Sequence, residues 1–64
     1  MHLTEKEIEV LVLVAQGMNN EQIGKQIFVT SHTVKAHISA IIRKLGVANR
    51  TEAIYVAMKN NIIN

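Results

Sequence analysis

Cysteine, proline, tryptophan and aspartate are all missing from these 64 residues, and phenylalanine and tyrosine occur once each. Without cysteine there is neither a disulfide framework nor a thiolate metal site, so apolar packing must hold the chain together. Aspartate, cysteine, a glycine-rich phosphate loop and a paired base and nucleophile are all wanting, so no enzyme, and no cofactor, is expected. At about 60 residues folding buries only about 60% of the unfolded surface, which points to one simple core and one domain, 1–64. Long hydrophobic runs are missing too. The longest, residues 8–15, is broken by Glu9 and falls far short of the roughly 20 residues that span a membrane. The start of the chain also lacks the cationic and apolar stretches of a secretion signal. The chain is therefore read as soluble and cytoplasmic, with no membrane partner.

Acids are missing from one region in particular. Residues 22–50 hold Lys25, Lys35, Arg43, Lys44 and Arg50 and no acid, a net charge of +5. Residues 1–21 hold Glu5, Glu7, Glu9 and Glu21 against Lys6, a net charge of −3, and residues 51–64 balance Glu52 against Lys59. A basic middle of this kind suggests a surface that faces a polyanion.

What is present is helical punctuation. With no proline, three glycines and apolar residues at three- and four-residue spacing, the chain is predicted to be all-α. Thr4 with Glu7 forms a capping-box pattern, because the hydroxyl accepts from the third helical N–H while the carboxylate reaches back to the cap N–H. A helix over 5–16 follows, closed by Gly17. Asn19 with Gln22 offers an amide version of the same cap and opens a short helix over 20–27. Thr30 caps a third helix, 31–45, which Gly46 ends. Asn49 with Glu52 repeats the signature before a last helix, about 50–60.

The third helix divides cleanly on a helical wheel of about 100° per residue. Val34, Ile38, Ile41, Ile42 and Leu45 form the core stripe, and His32, Lys35, Ala36, Ser39 and Arg43 gather opposite. A solvated face usually mixes acids with bases, whereas this one carries two cations and the small Ala36 and Ser39. Such a face can approach something flat or grooved. The short link 27–29 forces helices two and three to cross steeply, as in a helix-turn-helix unit, about 20–45. Gly24 lets the helices approach, while Ile23, Ile27, Val29 and Val34 fill the space between. Many such units have glycine where this chain has Phe28, and the phenyl can cover the core only if the turn avoids a positive φ.

Other residues are read more plainly. His37 borders the core stripe and suits a structural role, bonded to backbone or phosphate. His32 and His37 lie on different faces with no acidic third ligand nearby, so no zinc site is expected. On the last helix Ala53, Ile54 and Ala57 turn inward, leaving Thr51, Tyr55, Val56 and Ile62 exposed with Met58 at the border. Ile8 and Val12 lie away from the main inward face and suggest a docking stripe for a neighbouring domain.

The segments Leu3-Thr4-Glu5-Lys6-Glu7, Thr33-Val34-Lys35-Ala36-His37-Ile38 and Lys44-Leu45-Gly46-Val47, followed by Asn49-Arg50-Thr51-Glu52-Ala53, resemble the LuxR-type DNA-binding domain. That family includes the C-terminal output domains of NarL/FixJ-type response regulators and of quorum-sensing receptors. The resemblance runs from Leu3 to about Ile63. Three departures stand out: Lys6 where the family usually has arginine, Gly24 for the usual alanine, and Thr30 for the usual serine cap. Lys6 keeps the charge but loses the planar fork, and Gly24 lowers helix propensity by about 0.5–1 kcal/mol.

The resemblance implies a four-helix domain that binds double-stranded DNA in a bacterial transcriptional regulator, with the third helix in the major groove. Base contacts would come from Lys35, Ala36 and Ser39. Phosphate contacts would come from Asn20, from Ser31, His32 and Thr33, and from Arg43 and Lys44. For Lys44 an internal ion pair with Glu7 is an equal alternative. A homodimer would form through Thr51, Tyr55, Val56 and Met58 on the last helix, unless these residues merely cover the end of a small core. Further partners would be an N-terminal receiver or sensor domain and RNA polymerase, and the chain would be either a piece of such a regulator or a stand-alone one. A different class of function, docking on a protein through the same scaffold, is separable by salt dependence.

Overall fold

The computed structural model describes residues 2–64. Four helices follow one another, α1 Glu5–Ala15, α2 Asn20–Ile27, α3 Ser31–Leu45 and α4 Arg50–Lys59, within a residue of the expected boundaries at every end. The agreement has a local cause, because each start is fixed by side chains three residues apart. Thr4 Oγ1 accepts from the Glu7 N–H and Glu7 Oε1 accepts from the Thr4 N–H. Asn19 and Gln22 exchange the same pair of bonds, and Thr30 Oγ1 accepts from the Thr33 N–H. At α4 the box is only half formed. Asn49 Oδ1 caps the Glu52 N–H, but the Glu52 carboxylate accepts from Ala48, one residue earlier than the box requires. The extended backbone of Asn49, with φ −160°, leaves the Ala48 N–H as the donor within its reach.

Helix α3 packs against all three others, and α1 also touches α2 and α4. The core is built from Val10, Leu11 and Val14 of α1, Ile23 and Ile27 of α2, Val34, Ile38 and Ile41 of α3, and Ala53 and Ala57 of α4. Ile42, Leu45 and Ile54, expected inside, are half-buried at its margin. Burial of an aliphatic side chain contributes about 1.5–3 kcal/mol, so this short list supplies most of the apolar stabilisation. The small Ala53 and Ala57 let α4 lie close to its neighbours.

Two expectations are corrected here. Ile8 and Val12 are half-buried and packed against the core, not a free docking stripe. Helix α1 touches three helices, so its apolar arc is wider than one wheel face. Beyond α4, Asn61 takes φ 59° and Ile62 donates to the Ala57 carbonyl at 2.8 Å. This return places Ile63 in the core at 5% exposure and leaves Ile62 half-buried rather than exposed.

At the α2–α3 turn the condition set for Phe28 to cover the core is not met. Phe28 has φ 62° and ψ 43°, in the left-handed region, and its side chain is 92% exposed. The turn adopts the conformation for which glycine is the usual solution, at a cost of about 1–2 kcal/mol for an L side chain. Reversing direction between the buried Ile27 and the half-buried Val29 leaves the middle residue to point outward. Gly24 faces the turn rather than a helix flank, since a Cβ built there would lie 2.6 Å from the Val29 carbonyl oxygen. Gly24→Val is therefore expected to cost about 2 kcal/mol through overpacking against backbone. A lowered urea midpoint with helicity retained would show it, and an unchanged midpoint would mean that the turn yields freely.

Candidate nucleic-acid interface

The two faces of α3 are segregated as the wheel predicted. Val34 and Ile41 are 0% and 1% exposed, whereas Lys35, Ala36 and Ser39 are exposed, with Ser31, His32 and Arg43 alongside. Thr33 is half-buried, its hydroxyl 3.1 Å from that of Thr30. The first turn of a helix directs N–H groups outward and carries the positive end of the helix dipole, so the start of α3 is electrostatically suited to an anion. His37 is half-buried at the edge of the core stripe.

Lys44 is engaged inside the protein. Its Nζ lies 2.8 Å from Glu7 Oε1, the internal pairing that the sequence left open beside a phosphate contact. The Glu7 side chain is 7% exposed and that of Lys44 35%. Burial by itself would raise the Glu7 carboxyl, but the Lys44 ammonium and the Thr4 N–H and hydroxyl outweigh it and hold the group below its ordinary 4.5. One carboxylate thus caps α1 and ties it to the end of α3. The ammonium stays partly open to solvent, with donors to spare.

Asn20 is half-buried at the start of α2, and its Oδ1 accepts from Arg50 Nη2 at 2.7 Å. This bond joins residues thirty positions apart. Sequence reasoning counted Arg50 in the acid-free region but gave it no site role, and its only signal was that count. On α4, Thr51, Tyr55 and Met58 are exposed and Val56 is half-buried. Tyr55 and Met58, at 63% and 49%, join Phe28 as the large exposed apolar side chains. Spacings of four and three residues align Thr51, Tyr55 and Met58 on one face, and the Lys59 ammonium sits 5.8 Å from the Tyr55 ring centroid.

Two helices joined by a three-residue link and packed on each other, the second capped and free of acids, on a four-helix core define a helix-turn-helix domain. The profile of the bacterial regulatory proteins of the luxR family matches residues 1–57. The chain belongs to that family, which makes it a DNA-binding domain of the transcription-regulating kind. It is 45% identical over 62 residues to the transcriptional regulatory protein LiaR of Bacillus subtilis, covering 97% of this chain and 29% of LiaR. To the response regulator protein VraR of Staphylococcus aureus it is 44% identical over 61 residues, covering 95% of this chain and 29% of VraR. The chain thus spans under a third of these relatives. Among solved structures, the response regulator ChrA of a heme-sensing two-component system superposes with a TM-score of 0.92 at 41% identity, over 98% of this chain and 31% of ChrA. The transcription factor GerE superposes at 0.89 with 34% identity, over 92% of this chain and 88% of GerE.

Proposed function

We propose that the chain is the output domain of a bacterial two-component response regulator and binds double-stranded DNA sequence-specifically as a homodimer, with α3 reading the major groove. The observation that carries this reading is the acid-free outer face of α3, whose small residues allow close approach while Val34, Ile38 and Ile41 of its inner face are buried in the core. A helix about 10–12 Å across fits a groove about 12 Å wide. In that groove Lys35 donates to guanine O6 or N7, Ala36 meets a thymine methyl, and Ser39 donates or accepts. Because two of the three are short, DNA shape and deformability supply part of the specificity.

Phosphates are held by Asn20, by Ser31, His32 and Thr33 at the start of α3, by Arg43, and by Lys44 with the ammonium it shares with Glu7. Two copies joined through Thr51, Tyr55, Val56 and Met58 would present two α3 helices to successive major grooves, about 34 Å apart. The response-regulator names of its relatives support a receiver domain as the partner that carries the signal; RNA polymerase would act downstream, with the cytoplasm as the site of action. No helix among the described residues is long and apolar enough to cross a membrane.

Lys35→Ala tests the groove placement. Selection from random duplexes supplies a preferred site, and the variant is expected to lose about 1–3 kcal/mol on it. Its melting temperature should stay near wild type, because Lys35 is exposed and outside the core. Unchanged affinity for the selected site would overturn the placement.

A further inference from the structure

Arg50 opens α4 and Asn20 opens α2, and the 2.7 Å bond between them brings the two helix starts together. Arg50 is half-buried, as is its bond to Asn20, and among the described residues the only ion pairs are Lys6 with Glu9 and Lys44 with Glu7. A partly desolvated cation with no carboxylate partner is electrostatically incomplete and favours an added anion. Its bond to Asn20 also has a direction. An amide offers an oxygen that accepts and an NH2 group that donates. With Oδ1 taken by Arg50, the end of Asn20 left for a ligand is the donor.

We propose that Arg50 is a positioning residue of the DNA interface: it locks the Asn20 amide with its NH2 group toward a backbone phosphate and turns its own remaining N–H groups to the same phosphate. This inference rests on the DNA-binding reading above and adds to it a residue from α4, outside the helix-turn-helix unit. Unlocked, the amide turns freely, and half of its orientations present an oxygen to the phosphate. Arg50 thus contributes both a charge and the polarity of its neighbour.

The test uses the whole chain and a labelled mixed-sequence duplex of about 20 base pairs, since phosphate contacts are independent of sequence. Arg50→Ala is expected to weaken binding about tenfold and to lower the salt slope by about one. Asn20→Ala should weaken binding less, and the double variant should be no weaker than Arg50→Ala alone. Asn20→Asp separates this role from a structural one. A carboxylate beside Arg50 and at a helix start keeps or raises the melting temperature, yet it repels a phosphate, so binding should fall below that of Asn20→Ala. Should Asn20→Asp bind as well as wild type, or Arg50→Ala lower only the melting temperature with affinity and slope intact, the proposal is overturned. A wild-type chain without salt-sensitive duplex binding would overturn the DNA-binding reading itself. Normal wild-type binding with an indifferent Arg50→Ala would remove this inference alone.

Discussion

Binding of the chain to duplex DNA is expected to weaken about a hundredfold when salt rises from about 50 to about 200 mM. Each cation placed on a phosphate releases a condensed counterion, and the logarithm of affinity falls by about 0.9 per charge for each decade of salt. Arg43, Arg50 and the shared Lys44 on phosphates, with Lys35 inside the phosphate-walled groove, bring about four cations into the counterion atmosphere, so a fourfold rise in salt gives a loss of this size. Anisotropy titrations at several salt concentrations would measure it. The competing class of function has the opposite signature. A protein docked through exposed apolar side chains such as Phe28, Tyr55 and Met58 would hold its affinity, because salt does not screen apolar burial. A duplex affinity that is flat in salt would remove the phosphate assignments together.

Lys44→Met is expected to lower the unfolding free energy by about 3 kcal/mol at pH 7, because it leaves a buried carboxylate without its counter-charge. Methionine keeps the apolar stem of the lysine, so the loss isolates the ammonium. A domain of this size has about 3–5 kcal/mol to lose, so much of the variant would be unfolded. The pH dependence gives the charge its signature. Glu7 is held below its ordinary value in the folded protein, so its stabilising contribution is complete above about pH 4.5 and disappears as the pH falls through the folded value. Without Lys44 the folded carboxyl moves up and less is lost on acidification. Urea unfolding at pH 7 and at about pH 3 should therefore show a large gap between wild type and variant that narrows in acid. An equal gap at both would assign the effect to packing of the lysine stem.

How much of this was legible in the sequence follows from the range of each interaction. Helix boundaries were readable because Thr4, Asn19, Thr30 and Asn49 each bond to the residue three ahead. The faces of α3 were readable because one period governs fifteen residues. The Glu7–Lys44 pair was visible only as one of two options, since a wheel tells which side a lysine flanks and not what waits there. The bond between Arg50 and Asn20 had no local signal at all, as it depends on how α4 is carried against α2. In the sequence the place of Phe28 stays conditional and Ile62 is expected to be exposed, for a shared reason. Each position hinges on a left-handed residue that is not glycine, Phe28 itself and Asn61, and side-chain chemistry alone gives no warning of it.

The interleaving of the two faces of α3 also bears on how such a domain changes over generations. Val34 and Lys35 are neighbours in the chain, as are Ile38 and Ser39, yet one member of each pair is buried and the other is free of the core. Substitutions at the outer positions remove no side chain from the core, so their cost to folding should be small. The outer face can be rewritten toward a new ligand with little risk to folding. The inner face can drift among aliphatic residues of similar volume without altering what the helix presents. Evolution can therefore search one without endangering the other, along a single stretch of fifteen residues.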